Sequence, residues 1–325
     1  MAKVEMTFSG AICRAIEEEM EKNPNIFTYG EDIAQQGGIF GQYKGLIGKF
    51  DDRVIDTPIS EEVIFGSAVG AALAGTRPIV EFHFADFLFT GMSAITNQIM
   101  KIRYMSGGQR DLPIILRGPD GRSNNAAAQH SQSLETIFMH VPGIKVLIPS
   151  TPADIYGLYK TALNQSDPVI VFEHKQMYGK KGFVDEEEYS IPFGKADIKR
   201  KGSDITVVTT SRMVHESLKA AEELEKEGIS LEIIDLRTLI PWDREAVINS
   251  VKKTGRLLTV HETWKRAGWG AEIASVVQEE AFDYLDDPIY RVGAKNVPNS
   301  FSPEQENFIM PDKDNVIEEV RKFLL

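Results

Sequence analysis

The chain has 325 residues, 42% hydrophobic and 26% charged, enough apolar surface for a full core and too much for a disordered chain. Its 36 Lys and Arg against 48 Asp and Glu leave a formal net charge of −12, so nucleic acid and anionic membrane would repel it. One cysteine, Cys13, excludes an internal disulfide framework and a cysteine-based zinc cluster.

The opening segment MAKVEMTFSG lacks the apolar centre of a signal peptide. The most apolar stretch, Val63 to Ala74, is too short to span a bilayer. A soluble protein of a reducing compartment, cytoplasmic, is expected.

Thr7 or Ser9 is placed to cap a helix whose apolar residues Phe8, Ile12, Ala15, Ile16 and Met20 recur at helical spacing, and Asn23-Pro24 ends it. Ile26 to Gly30 reads as a buried strand leading to a polar, glycine-rich loop from Gln35 to Gly48. Arg53 to Asp56 is a second strand, followed by Thr57-Pro58-Ile59-Ser60-Glu61-Glu62 and a helix of small residues. Ile79 to Phe82 reads as a third strand, and Met92 to Met105 as a helix closed by Gly107-Gly108. Further strands are expected at Leu112–Arg117, Lys145–Ile148 and Val169–Phe172, the last after a helix that begins near Pro152. Alternating strand and helix points to an α/β fold with parallel sheets covered on both faces.

Composition shifts at Gly179 to Gly194, where Asp185-Glu186-Glu187-Glu188 lies among glycines and Pro192; this reads as a solvated linker. The pattern restarts with a strand at Ile205–Thr209, a helix at Val214–Gly228 and a strand at Leu231–Asp235. A helix from Asp243, a strand at Arg256–His261 and a helix at Asp314–Leu325 complete a second, smaller α/β domain.

The common phosphate and hydrolase motifs are missing: there is no G-x-x-x-x-G-K-[ST], no G-x-G-x-x-G after a strand, no G-x-S-x-G and no H-E-x-x-H. The segment Gly118-Pro119-Asp120-Gly121 with Asn124-Asn125 only superficially suggests a metal-diphosphate loop. What remains is polar groups at the ends of apolar strands, where open parallel sheets bind ligands. Glu61 has two readings: a first-turn carboxylate of a helix capped by Ser60, or a functional group stabilised by the helix N-terminus. His130 follows three alanines and lies between amide and hydroxyl side chains able to fix its tautomer. His83 is open to either reading, His140, His174 and His215 fit packing or surface, and His261-Glu262 ends a strand of the second domain.

Taken in order, DTPISE at 56–61, EFHFADF at 81–87, RYMSGG at 103–108, RGPDG at 117–121 and AAAQHSQSLE at 126–135 form a specific series. IPSTPAD at 148–154, DPVIVFEHKQMYG at 167–179, EGISLEIIDLRTLIPWD at 227–243 and HETWKRAGWGAEIA at 261–274 extend it over nearly the whole chain. The series resembles the β subunit of the thiamine-diphosphate-dependent E1 component of 2-oxo acid dehydrogenase complexes, acetoin dehydrogenase included.

The resemblance implies two doubly wound parallel-sheet domains, a pyrimidine-binding domain at 1–185 and a transketolase C-terminal-like domain at 186–325. It implies an α₂β₂ heterotetramer in which the α chain carries the diphosphate- and Mg²⁺-binding motif, so that the β chain alone is inactive. Glu61 matches the family glutamate beside the aminopyrimidine, and His130 the histidine proposed to protonate a lipoyl sulfur on the E2 acyltransferase. Phe87 and Ile59 match cofactor contacts, and His83 stands where relatives usually carry an apolar side chain beside the cofactor. A structural potassium ion of some relatives maps to Ile114, Ala162, Leu163, Gln165 and Asp167, with Gln165 in place of the usual aspartate. Asp286-Asp287 and the Leu325 carboxylate are candidate E2 contacts, with a simple solvated acidic domain end as the slightly preferred reading. Pyruvate is the first substrate expectation, with branched-chain 2-oxo acids and acetoin as alternatives; a split transketolase-like subunit or a scaffold that has lost its site are further readings.

Overall fold

The structure, a computed structural model, describes residues 2–324. In chain order its elements begin with β1 (Lys3–Thr7), α1 (Phe8–Lys22), β2 (Ile26–Gly30), α2 (Leu46–Phe50), β3 (Val54–Asp56), α3 (Glu61–Leu73) and β4 (Arg77–Glu81). They continue with α4 (Ile102–Met105), β5 (Ile115–Asp120), α5 (Glu135–His140), β6 (Lys145–Leu147), α6 (Pro152–Ala162), β7 (Val169–His174) and β8 (Lys181–Asp185). The remainder is β9 (Asp197–Arg200), β10 (Ile205–Thr209), α7 (Ser211–Leu224), β11 (Leu231–Asp235), β12 (Thr238–Ile240), α8 (Arg244–Thr254), β13 (Leu257–Trp264), α9 (Trp269–Ala281), β14 (Tyr290–Ala294), α10 (Pro303–Ile309) and α11 (Lys313–Arg321). The chain forms two compact units, 1–120 with 140–193, and 121–139 with 194–325.

In the first unit the strands lie in the order β6-β7-β5-β4-β2-β3, all neighbours parallel. β5 and β7 are buried along their whole length, as expected of central strands covered on both faces. Thr7 caps α1, its hydroxyl accepting from the Gly10 N–H at 3.0 Å, and the predicted stripe Phe8, Ile12, Ala15, Ile16, Met20 faces the core. Outside the sheet, β1 and β8 pair antiparallel from Lys3 opposite Asp185 to Thr7 opposite Lys181. Neither strand is read from the sequence, because each is only five residues long and pairs with a segment far away in the chain. The helix expected over 92–105 is broken into a π-helical turn at Ala94–Ile99 and the short α4.

The acidic run is not a linker. Asp185 ends β8, the Glu186 N–H donates to the Ala2 carbonyl at 3.0 Å, and Glu188 pairs with Lys160 at 3.2 Å. Tyr189 and Ile191 then pack on α6, the Tyr189 hydroxyl donating to the Ala153 carbonyl at 2.8 Å and the Ile191 N–H to Gly157 at 3.0 Å. These bonds carry the first unit to Phe193, past the expected end at 185.

The second unit has the sheet order β14-β13-β10-β11-β9, parallel except for β9 on the edge. Ile205, Val207, Ile233, Leu258 and Val260 pack under Met213, Ala220 and Leu224 of α7 and Val316, Ile317 and Val320 of α11. Asp312 and Asn315 form a reciprocal capping box at the start of α11. The architecture is α/β in both units, with parallel-rich mixed sheets.

Candidate functional site

In the first unit, three neighbouring parallel strands end side by side: β2 at Gly30, β3 at Asp56 and β4 at Glu81. The residues that leave these ends carry Glu31, Glu61 and His83. Glu31 is buried, and burial pushes its carboxyl up; His83 opposes this while the negative charge of Glu61 adds to it. One Glu31 oxygen, Oε1, has no hydrogen-bond partner among the described residues.

Glu61 is the first residue of α3, and Ser60 at the cap makes no side-chain capping bond. Ser60 thus holds the cap position without a side-chain bond, and Glu61 and Glu62 lie in the first turn as the capping reading expected, with Glu61 partly exposed. Gly91 secures this corner: a Cβ there would come within 2.3 Å of the Phe65 ring and 3.1 Å of the Glu61 carbonyl oxygen. Ile59, 80% exposed, and Val63, 64% exposed, flank Glu61 as apolar surface.

His83 adopts a left-handed backbone, φ 46°, a conformation that a residue with a side chain rarely adopts. Its ring meets Phe84 edge-on at 5.1 Å, and Phe84 meets Phe87 edge-on at 5.8 Å. The sequence-predicted Ile59, Glu61, His83 and Phe87 thus all belong to the first unit, and Glu61 and His83 are electrostatically coupled to Glu31. Glu31 escaped the sequence reading, although it follows β2 much as Glu61 follows β3 and the strand-end rule applies equally to both.

Beneath these strand ends lies a dry polar cluster. Arg117 on β5 ion-pairs with Glu81 and with Glu173, all three shut off from solvent. Tyr43 donates to Glu81 at 2.9 Å, Tyr178 to Glu173 at 2.7 Å, and the Gln42 amide to Glu81 at 3.1 Å. Burial by itself lowers the Arg117 pKa, but Glu81 and the surrounding tyrosines outweigh it and hold the guanidinium well above its ordinary value.

The carbonyls at the potassium positions already accept hydrogen bonds from within the chain. The Leu163 carbonyl accepts from Arg77 Nε at 3.1 Å and Nη2 at 2.8 Å, and the Gln165 carbonyl also accepts from Arg77. Ala162 accepts from the Gln165 N–H at 3.1 Å and Ile114 from the Val169 N–H at 2.9 Å. Asp167 pairs with Lys145 at 2.8 Å and with Arg103; although partial burial opposes it, these cations hold its carboxyl below the usual carboxylate range. Two of these carbonyls, those of Leu163 and Gln165, thus face the Arg77 guanidinium.

In the second unit, residues 121–139 carry His130, so Glu61 and His130 belong to different units. The backbone before His130 is left-handed at Asn124, φ 43°, Asn125, φ 68°, and Ala127, φ 64°. Glu262 accepts from the Arg122 N–H at 2.7 Å and from Arg212. The neighbouring His261 is fully buried; its Nδ1 lies 3.0 Å from the Thr263 carbonyl, and burial lowers its pKa to about 4, keeping it neutral. Of the expected E2 contacts, Asp287 is already engaged by Arg256 at 2.6 Å, and Leu325 lies outside the described residues.

Comparison with known proteins matches these units. The transketolase pyrimidine binding domain family covers residues 4–181, and the transketolase C-terminal domain family covers residues 194–316. The 2-oxoisovalerate dehydrogenase subunit beta of Bacillus subtilis (strain 168) is 43% identical over 96% of this chain and 96% of its own length. The pyruvate dehydrogenase E1 component subunit beta of Rickettsia felis is 45% identical over 98% of each chain.

The chain belongs to the E1 β-subunit family of 2-oxo acid dehydrogenases.

The acetoin:2,6-dichlorophenolindophenol oxidoreductase subunit beta of Cupriavidus necator is 44% identical over 96% of this E1 β chain and 95% of its own. A solved split gene transketolase, an inactive beta4 tetramer, shares the fold with a TM-score of 0.80 at 24% identity, over 98% of this chain and 97% of that one. As an E1 β subunit, the chain is part of a thiamine-diphosphate-dependent oxidoreductase that works with an α subunit. Among its described residues, no helix is long and apolar enough to cross a membrane.

Proposed function

We propose that this chain contributes the pyrimidine half of a thiamine diphosphate site, with the α subunit contributing the diphosphate and Mg²⁺ half, in a cytoplasmic α₂β₂ heterotetramer active only when both chains are present. The observation that carries the reading is the convergence of Glu31, Glu61 and His83 at adjacent strand ends, beside an α3 terminus that Ser60 does not cap. An unpartnered buried oxygen on Glu31 fits a site built to receive a polar ring. When bound, thiamine diphosphate supplies the electron sink for cleaving the bond next to the substrate carbonyl. Glu61, at the first turn of α3, holds a proton at the pyrimidine ring nitrogen. Ile59 and Phe87 provide apolar and aromatic contact with the ring, and His83 a polar one.

The proposed reaction is oxidative decarboxylation of a 2-oxo acid, pyruvate first, with acyl transfer to a lipoyl group on the E2 acyltransferase. His130 acts as the general acid that protonates a lipoyl sulfur as its disulfide opens. Asp286-Asp287 remain the proposed E2 contact.

The test is co-purification with the α subunit, addition of thiamine diphosphate and Mg²⁺, and dye reduction on pyruvate, a branched-chain 2-oxo acid and acetoin. Activity on a 2-oxo acid only in the mixture is the expected result. Activity on acetoin alone would assign acetoin cleavage instead. A stable complex inactive on all three would overturn the reading in favour of ketol transfer or a scaffold.

A further inference from the structure

We propose that Glu306 is a positioning residue for His130, acting through Arg122 and Asn125. The proposal rests on the reading of His130 as the acid of acyl transfer. Glu306 lies on α10, far in sequence from the loop it holds, with its side chain only 1% exposed. One carboxylate oxygen accepts from Arg122 Nη2 at 2.9 Å, and the other from the Asn125 N–H at 3.3 Å. Asn307 takes a second bond from Arg122 Nη2 at 2.7 Å, and Glu262 holds the Arg122 N–H at 2.7 Å. Beyond His130, the Thr263 hydroxyl donates to the Ser133 carbonyl at 3.0 Å. The loop is therefore clamped on both sides of His130.

The clamp matters because of the backbone it holds. Asn124, Asn125 and Ala127 are all left-handed, a conformation that asparagine adopts more readily than most residues but that at Ala127 persists only when its surroundings hold it. Glu306 binds the Asn125 N–H directly, in the middle of that stretch. Arg122 and Glu306 are charged partners in a nearly dry setting, where a charge-assisted bond is strong and directional. Released from Glu306, the loop would relax toward ordinary backbone angles and carry His130 away from its working position.

The experiment compares Glu306→Gln, His130→Ala and the double variant in the reconstituted αβ enzyme. Two rates are read, dye reduction and acylation of a lipoyl domain, together with hydrogen exchange of the peptide covering 121–133 in the β chain. Glu306→Gln is expected to lower the ratio of acylation to dye reduction at least tenfold and to speed exchange in that peptide selectively. The double variant is expected to lose no more acylation than His130→Ala alone, since both act through one group. Additive losses, or a loss shared equally by both rates, would show a general structural role and overturn the proposal. If His130→Ala leaves acylation intact, the His130 reading itself fails; if it impairs acylation while Glu306→Gln does not, only the positioning role fails. Should Glu306→Gln not assemble, Arg122→Lys keeps the charge and the backbone bond to Glu262 but loses the planar fork. It is expected to show a smaller drop in the same ratio, and an unchanged ratio would overturn the proposal.

Discussion

Arg117 and Glu81 form an ion pair at the centre of the first unit's sheet, one from β5 and the other from the adjacent strand β4, both closed to solvent. Glu81 precedes His83 by two residues, so the pair fixes the strand end from which His83 emerges. Arg117→Met would leave Glu81 and Glu173 as buried carboxylates without their cation. Removal of one partner of such a pair costs about 3–5 kcal/mol. Urea unfolding of the β chain should show that loss, and a loss under 1 kcal/mol would mean that water reaches the cluster.

Glu61→Gln keeps the shape of the side chain and removes its ability to hold or release a proton. Dye reduction by the αβ enzyme should fall by about 10²–10⁴-fold, the usual worth of a positioned acid or base. Size-exclusion chromatography should show the same αβ assembly as the parent. An enzyme of full activity would take Glu61 out of the chemistry.

Arg77 donates to the carbonyls of Leu163 and Gln165, at the end of α6. The parent chain should therefore unfold at the same urea concentration in KCl and in NaCl of equal ionic strength. Arg77→Met, which strands both carbonyls, should lose about 1–3 kcal/mol. A parent midpoint that rises specifically with potassium would show that the ion binds alongside the guanidinium.

Glu135 begins α5, fully buried, and burial raises its carboxyl to about 7 from 4.5, with the charge of Glu262 adding to the shift. In the folded chain it keeps its proton up to that pH, whereas the unfolded chain loses it near 4.5. Between these values the folded state binds more protons, so this group's stabilising effect is full below 4.5 and is lost as pH rises through about 7, a change of about 3 kcal/mol. His261, lowered to about 4 by burial, works in the opposite direction: its contribution rises between 4 and 6.5. The two partly cancel below 6.5, so the comparison needs the variant. Glu135→Gln should be more stable than the parent at pH 8, and the difference between them should shrink toward pH 5. A pH-independent difference would rule out titration of Glu135.

Much of this protein is local and was legible without coordinates. The Thr7 cap, the core stripe of α1 and the apolar strands at 26–30, 169–172, 205–209 and 231–235 follow from side-chain spacing within one element, and such spacing is printed in the order of residues. Glu61 was visible for the same reason, because a carboxylate at the first turn of a helix that follows a short strand occupies a recognisable place. Other features depend on partners distant in the chain. The acidic run at 185–188 reads as solvated until Lys160 and the β1–β8 pairing are seen, and residues 121–139 join the second unit through Glu262, Glu306 and Thr263. Arg77 looks like a surface arginine until two carbonyls from just beyond α6 converge on it. Periodicity records which face of an element is apolar, but a long-range polar contact leaves no period. Only the tertiary structure decided which carboxylate meets which cation, and with it where the loop bearing His130 is anchored.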